Sequence, residues 1–329
     1  MRFFCLRGMA VVAVLLLTSL TASAAPRILS VEKIWDQGEH NAFTDIVRWK
    51  DYWYCTFREA DNHVGTDGNI RIIRSTDGAN WESCGFLTEA GIDLRDPKLS
   101  ITPDNRLMVN MGGSVYEGDE LLGRRPRVSF SSDGTTFTAP KKICAEGDWL
   151  WRVTWHDGQA WGVSYDNRIG KEDEWHLRLY VSDDGENYKI RTLLDVTGRP
   201  NETTLRFLPD GTMMALVRRE AENKMAWIGT SPAPYVDWTW NETGLQTGGP
   251  NFTQAEDGTL WAGHRFYPGG AKTVLSKMTA TSLEKVLEFP SGGDTSYPGF
   301  AWHEGQLWMT YYASHEGKTS IYLAKIALD

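Results

Sequence analysis

The stretch LPDGTMMALVRRE, residues 208–220, ends one β-strand, turns at Asp210-Gly211 and starts another. Pro, Asp and Gly supply the turn, and Met213 to Arg219 alternate on either side of a pleat. Five other stretches read the same way: WKDYWYCTFR (49–58), TPDNRLMVNMGG (102–113), HDGQAWGVSYD (156–166), AEDGTLWAGHRF (255–266) and HEGQLWMTYYA (303–313). The turn acids Asp51, Asp104, Asp157, Asp210, Asp257 and Glu304 are spaced 53, 53, 53, 47 and 47 residues apart. A period of this length marks an array of identical supersecondary units.

Each unit continues into a third strand, and three of these end in a second turn: Ser75-Thr76-Asp77-Gly78, Ser131-Ser132-Asp133-Gly134 and Ser182-Asp183-Asp184-Gly185. Ser and Asp side chains bond the backbone of a tight turn, and Gly supplies its left-handed residue. Helical periodicity is nearly absent. Six units of four antiparallel strands predict an all-β, six-bladed β-propeller. Arg27–Lys33 has no unit of its own and is expected to close the ring as the outer strand of the last blade, beside Ser320–Ala327. Five-bladed architectures are disfavoured by the six turns.

Residues 1–24 read as a secretory signal: Arg2 and Arg7 precede the apolar run Met9–Leu20, and Ala22-Ser23-Ala24-Ala25 offers a cleavage site. Residues 25–329 are then expected to form a single propeller domain, secreted or periplasmic and monomeric, with no membrane insertion once the signal is cut. The formal net charge is −9 at pH 7, and loss of the signal removes two arginines, so nucleic acid is not an expected partner. An anionic ligand can still be met by local arginines. Of the cysteines that remain, Cys55, Cys84 and Cys144, spacing permits one bridge, Cys55 to Cys84, without requiring it. No metal or other cofactor is expected, because the seven histidines form no ligand-spaced pattern.

If the first strand of each unit lines the axis, its start and the loop after the second strand share one face. Four residues past each turn acid stand Met108, Trp161, Met214, Trp261 and Trp308, with Tyr54 matching after one deletion. These are expected to pack between blades. Eight past stand Gly112, Tyr165, Arg218, Arg265 and Tyr312, with Arg58 matching by the same deletion. Central arginines need anionic partners: either neighbouring acids (Glu59, Glu202, Glu220) or a substrate carboxylate gripped by guanidinium forks. The starts of the inner strands add Asp45, Arg95-Asp96-Pro97, Arg152, Asn201-Glu202, Asn251 and Asp294–Pro298, polar residues better suited to a site than to a core.

Over essentially the whole mature chain the sequence resembles the sialidase (exo-α-neuraminidase) superfamily, and the Ser-x-Asp-Gly turns resemble its Asp-box, one residue shorter than the common form. Asn201-Glu202 followed by Arg218 resembles the stretch carrying the glutamate that assists the nucleophile and one carboxylate-binding arginine. By that resemblance Arg265 would be a further triad arginine and Tyr297 the nucleophile. FREADNHVGTDGNIRIIRSTDG (57–78) is similar to the segment holding another arginine, here Arg58, and the acid/base aspartate, best matched by Asp67, with Asp61 and His63 as nearby alternatives. The family's first-blade arginine motif is replaced by Asn41-Ala42-Phe43-Thr44-Asp45, leaving Arg58, Arg95 or Arg152 to compensate. Asp45, His63, Arg95, Asp96 and Arg152 complete the expected substrate contacts.

The resemblance implies a retaining hydrolase of a terminal acidic sugar, sialic acid or a related 2-keto sugar acid. A carboxylate on the anomeric carbon repels a carboxylate nucleophile, whereas a neutral phenol with Glu202 as its base avoids that repulsion. A non-catalytic propeller that binds acidic glycans, a hydrolase or lyase of uronic-acid glycans, and a protein-binding scaffold are the competing readings.

Overall fold

The computed structural model describes Met1 and residues 25–118, 120–166 and 175–328. Apart from Met1, the expected signal lies outside the described residues. Strand β1 (Arg27–Trp35) precedes the six blades. Blade one contains β2 (His40–Trp49), β3 (Tyr52–Ala60), β4 (Asn69–Ser75) and β5 (Glu82–Leu87). Blade two contains β6 (Asp93–Ile101), β7 (Leu107–Glu117), β8 (Glu120–Arg124), β9 (Arg127–Ser131) and β10 (Lys141–Lys142), with β8 a side ribbon on β7. Blade three contains β11 (Asp148–His156), β12 (Gln159–Asp166), β13 (His176–Ser182) and β14 (Lys189–Leu194). Blade four contains β15 (Pro200–Phe207), β16 (Met213–Arg219), β17 (Met225–Ser231) and β18 (Thr239–Gln246). Blade five contains β19 (Gly248–Gln254), β20 (Leu260–Phe266), β21 (Lys272–Met278) and β22 (Leu283–Glu288). Blade six contains β23 (Thr295–His303), β24 (Gln306–Ala313) and β25 (Ser320–Ala327), and β1 completes it antiparallel to β25, with Arg27 opposite Ala327. The inner strands β2, β6, β11, β15, β19 and β23 neighbour one another in a ring, so the chain is a six-bladed β-propeller.

Blades covered on both faces tolerate long apolar runs, which is why Met213–Val217 is buried throughout. The bulky residues four past each turn acid do pack between blades. A Cβ placed on Gly78, in the turn after β4, would fall 2.2 Å from the Trp308 ring. The equivalent atom on Gly134 would fall 2.0 Å from the Tyr54 hydroxyl, and that on Gly185 3.2 Å from Met108 Sδ. Each Ser-x-Asp-Gly turn therefore sits on the preceding blade's second strand, and its glycine gives the close approach as well as a positive φ. Within the first turn, Gly78 N–H donates to Ser75 Oγ at 2.8 Å, and the Ala79 and Asn80 N–H groups both donate to Asp77 Oδ1 at 2.8 Å. Across the closing seam, Trp53 of blade one stacks on Trp308 of blade six at 4.1 Å and 5°. Burial of such a side chain stabilises by about 1.5–3 kcal/mol.

The Cys55–Cys84 bridge is not formed. All three described cysteines are free, and β4 separates the strands that carry Cys55 and Cys84.

Candidate active site

One backbone device recurs at the start of every inner strand. Pairing with the second strand skips two residues in each blade: Phe43-Thr44, Asp96-Pro97, Trp151-Arg152, Asn201-Glu202, Gly249-Pro250 and Tyr297-Pro298. A bulge turns its residues out of the ladder and re-aims their side chains. In blades one, two, five and six the first bulge residue is left-handed, with φ of 65° at Phe43, 53° at Asp96, 57° at Gly249 and 54° at Tyr297. Three of these are not glycine, and such a conformation costs about 1–3 kcal/mol each. The rest of the blade holds the strain in place.

Tyr297 and Glu202 meet from two of these bulges. The Tyr297 hydroxyl donates to Glu202 Oε1 at 2.5 Å, and Arg218 Nη1 donates to Glu202 Oε2 at 2.7 Å and to the Tyr297 hydroxyl at 3.2 Å. The Gly249 N–H donates to Glu202 Oε2 at 2.8 Å. Burial works to raise the Glu202 carboxyl, but the Arg218 charge and the hydrogen bonds from Tyr297, Arg218 and Gly249 overcome it, so the net shift is downward. Burial, then the Glu202 charge, pushes the Tyr297 phenol well above its ordinary value. The resting pair is a neutral phenol donating to a carboxylate, with a guanidinium placed to stabilise a phenolate.

Arg265 and Arg95 flank this pair. The Arg265 guanidinium carbon is 5.6 Å from the centre of the Tyr297 ring, and its nitrogens donate to Thr295 O at 2.8 Å, Tyr312 Oη at 3.0 Å and Asp294 Oδ1 at 3.2 Å. Arg95 lies 5.1 Å over the Phe43 ring, whose centroid is 5.0 Å from that of Tyr297, and pairs with Asp93 at 3.3 Å. Arg218 also pairs with Glu220. Asp96 is buried beside Arg95; burial, opposed by the Arg95 and Lys98 charges, raises its carboxyl. Asp96 Oδ1 and Arg218 Nε are buried with no hydrogen-bond partner, an acceptor and a donor left open at one site.

The other expected residues are placed differently. Arg58 is fully buried, with Nε on Asp93 at 2.6 Å and its terminal nitrogens on the Asn62 and Thr66 carbonyls, so it braces the loop after β3. Asp67 is exposed and accepts the Gly91 N–H at 3.0 Å, with no described contact to Tyr297. His63, on the same loop, does reach the mouth: Nδ1 is 2.7 Å from Asp294 Oδ2 and its ring meets Phe43 edge-on at 5.3 Å. Asp45 and Arg152 pair at 2.6 Å, both buried. Their charges also act on Lys98 and Arg206, so this pair is engaged inside the ring rather than at a contact surface.

Lys98 was not singled out from sequence, while Asp294 and Tyr312 were named by position, at an inner-strand start and a second-strand end, without a role. Lys98 Nζ lies 4.7 Å from the Trp151 ring and 6.0 Å from that of Tyr297, and burial, then the Arg152 charge, lowers it to about 8. Its signal was its place two residues after Asp96, where the aligned Asp45 and Asn251 are also polar. His264 is a core histidine, buried between Arg265 O and Ser276 Oγ and lowered to about 4 by burial.

No protein-family model and no curated protein matches the chain. Among solved structures, a Dyadobacter fermentans protein of unknown function is similar at TM-score 0.82 and 18% identity, covering 93% of this chain and 100% of that one. The GH93 α-L-arabinofuranosidase of Fusarium graminearum, solved with arabinobiose, has TM-score 0.70 at 14% identity, covering 92% of this chain and 98% of its own. Trypanosoma rangeli sialidase, solved with the inhibitor DANA, has TM-score 0.68 at 11% identity, covering 88% of this chain and 55% of its own, so this chain spans about half its length. What these likenesses establish is a shared fold: the chain has the six-bladed, sialidase-like β-propeller architecture.

Proposed function

We propose that the chain is a retaining exo-glycosidase that hydrolyses a terminal acidic sugar of the 2-keto type. The Tyr297–Glu202–Arg218 cluster carries the reading. It supplies a nucleophile that is uncharged before attack, a carboxylate that takes its proton, and a cation beside the oxygen that loses it. The fold shared with a sialidase and an arabinofuranosidase supports glycoside hydrolysis as the reaction class, and the expected leader supports action outside the cytoplasm.

Tyr297 Oη attacks the anomeric carbon while its proton passes to Glu202 Oε1. The bond to the leaving oxygen breaks as that oxygen takes a proton from Asp96. A water then attacks the same carbon and gives a proton to Asp96, while Tyr297 leaves and recovers its own from Glu202, so configuration is retained. The acid is assigned to Asp96 rather than Asp67 because environment separates the two roles. Burial raises Asp96, the Arg218 side lowers Glu202, and opposite shifts mark an acid and a base. Arg95, Arg218 and Arg265 hold the substrate carboxylate, with Arg95 in the part of the missing first-blade arginine.

Hydrolysis of an aryl glycoside of a 2-keto sugar acid tests this. Tyr297→Phe is expected to lower turnover by about a hundredfold or more, the scale of losing one proton-transfer or nucleophilic partner. Unchanged turnover would remove Tyr297 from the chemistry. A neutral furanoside is the second reading, favoured by one observation: Arg218, Arg265 and Arg95 already pair with Glu220, Asp294 and Asp93. Cleavage of an aryl arabinofuranoside but not of the keto-acid glycoside would select it.

A further inference from the structure

Where the last blade meets the first, Asp294 Oδ2 lies 3.2 Å from His40 Nε2 and 2.7 Å from His63 Nδ1. The three ligand atoms fall within 4.8 Å of one another. His40 opens β2, His63 comes from the loop after β3, and Asp294 immediately precedes β23. We infer that these three side chains form a site for a divalent first-row transition ion, with zinc the simplest occupant.

Two imidazoles and one carboxylate are a donor set such ions select, at bond lengths of about 2.0–2.2 Å. To meet one ion the ligand atoms must settle about 3.3–3.5 Å apart, and His63, exposed on its loop, has room to move. The carboxylate is held from behind: Tyr312 Oη donates to Asp294 Oδ1 at 2.8 Å, Arg265 donates to it at 3.2 Å, and the Asp294 N–H is tied to Ser314 Oγ at 2.8 Å. Phe43 packs against both imidazole rings. Such outer contacts orient ligands and tune affinity. An ion on His40 Nε2 would shift the ring proton to the buried Nδ1, which has no partner among the described residues, so this donor counts against binding and the carboxylate and His63 must outweigh it. The Arg265 charge also opposes a dication. The donor set, with one carboxylate and two imidazoles, offers too few oxygens for calcium or magnesium and favours ions that bond imidazole strongly enough to offset that repulsion. Three protein ligands leave a position open on the His63 side for water or a ligand oxygen.

Sequence spacing hides the cluster, because His63 and Asp294 are 231 residues apart. The test reads binding itself and does not rest on glycosidase activity. Zinc and cobalt(II) are titrated into the chelator-stripped full chain, followed by calorimetry and by the visible absorption of cobalt. One ion per chain is expected, with zinc displacing cobalt and raising the thermal midpoint. His63→Ala, at an exposed position where folding is not at stake, and Asp294→Asn should each weaken zinc binding by more than about tenfold. Failure of the full chain to bind, equal binding by His63→Ala, or an equal thermal shift with calcium would overturn the assignment.

Discussion

Asp96 and Glu202 sit in one electrostatic environment and are shifted in opposite directions, and stability follows from that. Asp96 holds its proton to higher pH in the folded chain than in the unfolded one. Between the ordinary carboxyl value of about 3.9 and the folded value, the native state binds the extra proton, so stability falls as pH rises through that window. Asp96→Asn is therefore expected to be more stable than the parent at neutral pH, with the advantage vanishing below about pH 4. Denaturant midpoints at the two pH values check this. The same variant should lose the basic limb of the activity profile and about 10²–10⁴ in rate on a poor leaving group, and less on an activated aryl one. These assignments were only partly legible in the sequence. Tyr297, Glu202 and Arg218 were named together through the family resemblance, at positions that fall on strand starts and a strand end, and the structure brings the three side chains into contact. Arg58 occupies the equivalent strand-end position yet is spent on Asp93, an acid from the next blade that no spacing connects to it. Asp67 and Asp96 look alike as letters; burial separates them, and burial is a property of the ring.

At the level of the strand, the bulge decides what the site can hold. Gly249 takes the bulge position in blade five at φ 57°, its N–H faces Glu202, and a Cβ there would lie 2.5 Å from the Tyr297 ring. Gly249→Ala must move either the ring or the backbone donor. It should destabilise the fold by about 1–3 kcal/mol and lower kcat more than it raises KM, which steady-state kinetics alongside denaturant melts would separate. A loss of stability with kinetics intact would show that the ring has room to yield. The inner strands were expected to begin with polar site residues: Asp96, Glu202 and Tyr297 do stand at strand starts, whereas Asp45 and Arg152 pair with each other. The two-residue skip that turns those residues toward the mouth carries no composition signal, since Phe43, Asp96, Trp151, Asn201, Gly249 and Tyr297 share neither size nor charge.

For the whole ring, closure is the feature most fully readable from the chain, because the regular turn spacing counts the blades and leaves Arg27–Lys33 over. Strand β1 pairs with β25, and Trp35 at its end packs on Phe57 at 5.8 Å and donates to Glu59 at 3.1 Å, so it ties blade six to blade one. Removing residues 25–35 would bare the β25 edge and open that seam. The truncated chain should melt at a lower temperature, lose cooperativity and self-associate, as calorimetry and light scattering would show. An unchanged melting profile would mean that the seam is held by the Trp53–Trp308 stack and its neighbours alone.

The six left-out residue pairs form one socket per blade. Each is anchored by its own blade, so a side chain exchanged there disturbs the pairs it touches, as Gly249 touches Tyr297, and leaves the strand ladders in place. Lineages built on this ring can thus change what they recognise or cleave one socket at a time, while the architecture that positions those sockets stays as it was.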